Sequence, residues 1–163
     1  MRTGFFIVML ATAVAGFPVA ASAEEKEPTA VLAIGGAGEW GLPGRTSFGP
    51  SASVEFTPIR DWLEIEIGAA TLFRRGVTEF ETDVIFKKPF TLSDTLELMV
   101  GAGPAWSYTR EEGIKWGATF ALDLMVWPWP ERKFGWFVEP AYTINQDKEK
   151  SLSVSVGLLI AIP

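Results

Sequence analysis

Apolar and polar residues alternate along most of this chain with a period of two. Near the C-terminus Leu152, Val154, Val156, Leu158, Ile160 and Ile162 fall on one face. Ser151, Ser153, Ser155, Gly157 and Ala161 fall on the other, and Leu159 is the one exception. That period belongs to a β-strand whose two sides meet different surroundings. It recurs over residues 48–56, 63–73, 80–86, 96–106, 116–126 and 134–143. A Gly- and Ala-rich stretch over 29–40 has no clear phase but completes a set of eight predicted strands. The segments 57–61, 88–94 and 128–133 are rich in turn formers and fall at one end of such a set. The segments 41–47, 74–77, 108–114 and 145–150 fall at the other. An even number of strands returns both chain ends to the same side.

The beginning of the chain follows a different rule. Met1-Arg2-Thr3 is positively charged, and Gly4 to Gly16 carries no charge. Pro18 breaks the run, and Ala21-Ser22-Ala23 offers small residues ahead of Glu24 and Glu25. This is the layout of a cleaved export signal, with an apolar part too short to span a bilayer. The expected organisation is a signal peptide over 1–23, a short leader over 24–28 and a β-barrel over 29–163.

Composition narrows the chemistry. The 163 residues include neither His nor Cys, and 14 Lys and Arg stand against 20 Asp and Glu, a net charge of −6. Disulfides, thiolate metal sites, cysteine nucleophiles and every triad built on imidazole are excluded. The acidic balance argues against nucleic acid as a partner. No cofactor is expected.

Alternation fits a membrane barrel and, with its faces exchanged, a soluble lipocalin-like periplasmic barrel holding an apolar ligand. The polar face decides between them. It is mostly Ser, Gly, Ala and Thr, which suits a crowded lumen better than a wet exterior. The apolar face collects aromatics in two bands. Trp40, Trp106 and Trp116 fall toward one end, and Trp62, Trp127, Trp129 and Trp136 toward the other. Indole rings at two levels are expected at the two interfaces of a bilayer. The predicted fold is an all-β, eight-stranded, antiparallel up-and-down transmembrane barrel.

With that pattern in place, the chain resembles the small eight-stranded outer-membrane β-barrel proteins of Gram-negative bacteria. Segments 57–64 (TPIRDWLE) and 134–142 (FGWFVEPAY) look like those of a poorly characterised family of exported bacterial barrels. The resemblance implies a monomer in the outer membrane, contact with its lipid and lipopolysaccharide, and handling by the barrel-assembly machinery. Such barrels usually end in an aromatic residue, whereas this chain ends Ile160-Ala161-Ile162-Pro163. Outer-membrane enzymes of this architecture, the lipid A deacylases and palmitoyl transferases, rely on histidine, so no catalytic residue is expected.

Two motifs lead nowhere. Gly36-Ala37-Gly38-Glu39-Trp40-Gly41 matches G-x-G-x-x-G, but Leu42-Pro43-Gly44 cannot open the helix a dinucleotide site needs. Ser151, Ser153 and Ser155 form an inward stripe with no base beside it, and small polar filling accounts for them.

The informative feature is acid on the inward face. Strand parity places Glu55, Glu64, Glu66, Asp83, Glu97, Asp123 and Glu139 inside, with Glu79 and Glu81 nearer the opposite rim. Lys87 and Lys115 are the clearest inward cations. Confined carboxylates repel one another, so they pair with Lys or Arg, hold protons or bind a cation. Oxygen ligands alone would favour Ca²⁺ or Mg²⁺. Arg74, Arg75, Arg110, Lys115, Lys148 and Lys150 form a basic rim that could meet lipopolysaccharide phosphates. The expected role is non-enzymatic: structural, or the binding or passage of small solutes or cations in an acidic lumen.

Overall fold

The computed structural model describes residues 28–42 and 44–163. The proposed signal segment therefore lies outside the described residues. Eight strands follow one another: β1 (Ala30–Leu42), β2 (Arg45–Ile59), β3 (Leu63–Arg74), β4 (Val77–Ser93), β5 (Leu96–Thr109), β6 (Gly113–Val126), β7 (Phe134–Asn145) and β8 (Lys150–Ile162). Each pairs antiparallel with the next, and β1 pairs with β8 from Ala30↔Ile162 to Leu42↔Lys150, closing the barrel. Closure leaves no strand edge unpaired, which a backbone surrounded by hydrocarbon requires. The strands run 12 to 17 residues. About 9–11 tilted residues suffice to cross hydrocarbon, so these strands extend past it. Among the described residues, no helix is long and apolar enough to cross a membrane.

The faces are those of a membrane barrel. Large apolar side chains are exposed outward on every strand, among them Ile34, Val54, Ile67, Phe86, Val100, Phe120, Trp136 and Leu158. Glu55, Glu66, Lys87, Thr119 and Asp123 are buried inside. A soluble barrel would have these faces exchanged.

Three strand-level expectations change. The 88–94 segment was expected to connect strands, but β4 continues to Ser93, pairing Lys88↔Val100 through Thr91↔Glu97. Pro89 sits inward and buried in it, and the ladder ends in an irregularity between Thr91 and Ser93. The far connections shrink to residues 75–76, 110–112 and 146–149, and β1 ends at Leu42 with β2 beginning at Arg45. Gly76 in one of these connections and Gly113 at the start of β6 take φ of 73° and 74°, a left-handed conformation that only a residue without Cβ adopts freely. The phase of β1, open in the sequence, is fixed by its neighbours: Ala33 is buried and Ile34 faces out.

Leu159 turns out to be no exception to alternation in its spatial role. Its parity points it inward, where it is fully buried among Ala33, Met99, Met125, Trp127 and Phe137. This cluster fills the barrel toward the end where β1 begins and β8 finishes, called here the terminal end. Inward glycines make the room. A Cβ on Gly135 would lie 2.9 Å from Trp127 Cε3, and one on Gly101 would lie 2.7 Å from Lys87 Cγ.

Candidate functional site

The lumen has three levels. Furthest from the chain ends is a cavity of about 230 Å³, the cup, lined by Glu39 on β1, Glu79, Glu81 and Asp83 on β4, and the Ser151, Ser153 and Ser155 stripe on β8. Carboxylate oxygens of Glu39, Glu79 and Glu81 lie within 4.8 Å of one another. The Asp83 carboxylate packs against Gly68, its partner in the β3–β4 ladder, at a position no Cβ could share. Thr119 and Thr143 join their hydroxyls across β6 and β7 at 2.8 Å.

Below the cup lies a septum. Lys87 reaches across the lumen from β4, and its ammonium lies within hydrogen-bond distance of four carboxylates. These are Glu55 Oε1 on β2 at 2.7 Å, Glu66 Oε2 on β3 at 2.7 Å, Asp123 Oδ2 on β6 at 3.1 Å and Glu139 Oε2 on β7 at 2.6 Å. Lys87 is 1 % exposed, Glu55 2 % and Asp123 1 %. One ammonium has three protons to donate, so four acceptors exceed its capacity. Glu55 Oε2 and Asp123 Oδ1 remain without a hydrogen-bond partner. Burying such groups is costly unless charge and hydrogen bonding are both matched.

The third level, at the terminal end, is a small cavity of about 50 Å³ lined by Glu55, Glu64, Glu97, Met99, Met125, Trp127 and Arg132, among others. Among the described residues, none lines both cavities. The septum and the apolar cluster beside it separate them.

The acidic-lumen expectation resolves unevenly. Glu55, Glu66, Asp123 and Glu139 come together around Lys87. Asp83 stands above them in the cup. Glu64 and Glu97 sit below, and Arg132 approaches Glu97 at 3.6 Å. Glu39 joins Glu79 and Glu81, a role hidden in the sequence by the ambiguous phase of β1. Arg132 was also missed, because it lies in a connection whose reach parity does not describe.

Of the aromatics assigned to the interfaces, Trp40, Trp62, Trp116, Trp129 and Trp136 are exposed. Trp106 is half-buried and meets Trp116 edge-on at 5.3 Å. Trp127 is a correction: it is 2 % exposed and belongs to the cluster inside the barrel. It follows Met125 and Asp123 in inward parity, and its backbone N–H is held by the Thr95 carbonyl.

The basic rim divides. Arg74, Lys115 and Lys150 line the cup, whereas Arg75, Arg110 and Lys148 are exposed away from it. Lys115 is engaged by Glu149 at 2.8 Å, Glu112 at 3.1 Å and Asp147 at 3.7 Å. Hydrogen bonds from Lys115 and Asn145 hold the Glu149 carboxyl below its ordinary range.

The architecture is that of the small outer-membrane barrels. No known protein family matches the chain, and no curated protein matches it. Solved structures do. Neisserial surface protein A superposes with a TM-score of 0.64 at 13% identity, over 82% of this chain and 96% of that one. Ail, the attachment invasion locus protein of Yersinia pestis, in complex with the heparin analogue sucrose octasulfate, gives 0.60 at 15% identity, over 83% and 99%. The N-terminal β-barrel domain of Pseudomonas aeruginosa OprF gives 0.58 at 16% identity, over 83% and 100%. At these identities the likeness is one of fold.

Proposed function

We propose that this protein is a non-enzymatic barrel of the Gram-negative outer membrane that binds small cations in its acidic cup. The observation that carries this reading is the grouping of Glu39, Glu79 and Glu81 around a cavity of about 230 Å³. Their oxygens suit a hard cation such as Ca²⁺ or Mg²⁺. The apolar exterior supports membrane placement, and the likeness to outer-membrane barrels supports which membrane. Binding is favoured over open passage because the septum fills the lumen beneath the cup. Connections of two to four residues at the cup end leave the lumen, rather than long loops, as the distinctive feature. Arg75, Arg110 and Lys148 are placed to meet lipopolysaccharide phosphates, and the barrel works as a monomer inserted by the assembly machinery.

The test is calorimetric titration of the folded barrel in detergent with CaCl₂, MgCl₂ and KCl. Divalent binding should weaken about tenfold or more in Glu79→Gln with Glu81→Gln, since affinity follows ligand charge. No binding by the wild type, or equal binding by the double variant, overturns the cup as the site. Fractionation to the outer membrane, with a gel band that shifts on boiling, tests the location.

A further inference from the structure

We infer that an ionic strap crosses the mouth of the cup and gates access to it, latched by Arg45 on Glu112. This concerns regulation of the cup and rests on the cup as the working site, although access is measured without any ligand of that site. Going round the closed barrel from β2, the β5–β6 connection stands on the opposite side of the opening. Arg45, the first residue of β2, reaches across: its guanidinium Nη1 lies 3.8 Å from Glu112 Oε1. The other oxygen, Glu112 Oε2, lies 3.1 Å from the Lys115 ammonium on β6. Lys115 lies in turn 2.8 Å from Glu149 Oε2, in the β7–β8 connection. Arg45, Glu112, Lys115 and Glu149 all line the cup.

The two limbs of the strap differ in how firmly they are held. On the Lys115 side every part is anchored. The Glu112 backbone N–H donates to the buried Thr109 Oγ1 at 3.0 Å. Asn145 Nδ2 donates to Glu149 Oε2 at 2.8 Å, while Asn145 Oδ1 accepts the backbone N–H groups of Asp147 and Glu149 at 3.0 and 2.9 Å. The Lys115 side chain is only 14% exposed. The Arg45 side is loose: the Arg45 and Glu112 side chains are 52% and 39% exposed, and their contact is the longest in the strap.

Release therefore takes place at Arg45. Its stem lies beside Gly41, where a Cβ would stand 3.3 Å from Arg45 Cβ and 3.9 Å from its Cδ, so the absent side chain leaves the arginine room to turn. Turning it away breaks one exposed ion pair and no backbone hydrogen bond of the barrel. Exposed pairs are weak and screened by salt, so ionic strength sets how often the strap is open. Lys115, Glu112 and Glu149 stay joined on their own side of the mouth.

The chain contains no Cys, so Ser153→Cys places a single thiol in the cup wall, and Arg75→Cys, exposed away from the cup, serves as the control. Each folded barrel in detergent is labelled with N-ethylmaleimide, an uncharged probe, and the boiling-dependent gel shift confirms folding. At low salt, Arg45→Gln and Glu112→Gln should each speed labelling of the cup thiol about two- to fivefold, the weight of one exposed ion pair. Combined, they should gain nothing further, because they cut the same link. Raising NaCl from about 0.01 M to about 1 M shortens the screening length from roughly 30 Å to roughly 3 Å. That should speed labelling with the strap intact, leave the two variants unchanged and leave the control thiol unchanged. The two substitutions alter charge in opposite senses, so a field acting on the thiol alone would move their rates in opposite directions. That outcome overturns the strap, as do additive gains or equal rates throughout. Failure of divalent binding in the cup, titrated separately, bears on the cup reading and leaves these rates untouched.

Discussion

The Lys87 ammonium lies 2.6 Å from Glu139 Oε2, joining strands β4 and β7 across the barrel interior. Together with Glu55, Glu66 and Asp123 this contact ties four strands to a fifth through one side chain. Removing the ammonium leaves four carboxylates with no cation among them. Lys87→Met, which preserves most of the volume, should destabilise the barrel by about 3–5 kcal/mol. Denaturant unfolding in detergent micelles, followed by the boiling-dependent gel shift, measures it. A variant as stable as the wild type would mean that the acids are neutral without Lys87.

Leu122 faces outward near the middle of β6, opposite Val100 on β5. Leu122→Arg should cost about 2–4 kcal/mol in a bilayer if this face meets lipid at mid-depth. Reversible folding into vesicles is the measurement, and a negligible cost would show that this face is wet.

Trp127 seals the terminal end from inside. Trp127→Ala should lose about 3–5 kcal/mol through the cavity it leaves among Met99, Met125 and Leu159. It should also raise single-channel conductance in planar bilayers, because the two cavities then lose part of what separates them. Unchanged conductance would place the tight barrier at Lys87 instead.

Glu149 predicts a small acid-side effect. Its carboxyl is held below the ordinary range by Lys115, so its contribution is present above the unfolded value and lost as pH falls through the lowered folded one. The group is exposed, so the contribution is modest. Glu149→Gln should narrow the difference in thermal midpoint between neutral and acidic buffer, and leave the fold intact. An identical pH dependence in both proteins would show that the ion pair is inert.

Alternation along each strand made the barrel, its apolar outside and its acidic inside legible in the sequence, because a strand's facing repeats every two residues whatever the tertiary context. It identified Glu55, Glu66, Asp123, Glu139 and Lys87 as inward. Parity gives a side chain's face but not its height along the barrel axis. Height depends on the register of each ladder and on closure of β1 against β8, which no local pattern encodes. The acids that share Lys87 are separated from it by 21 to 52 residues in the chain. Only the closed barrel brings them to one level.

The same reason explains the rest. Trp127 stands beside the 128–133 turn, at a barrel end where an interface aromatic is expected, but β6 carries its inward parity one residue past the strand. Leu159 looked like a break in a polar stripe until Met99, Met125 and Phe137 met it from across the lumen. Local stereochemistry alone sets which side of the wall each strand residue occupies. The tertiary structure decided which acids meet, where the lumen is stopped and where it is open, because those depend on register between strands far apart in the chain.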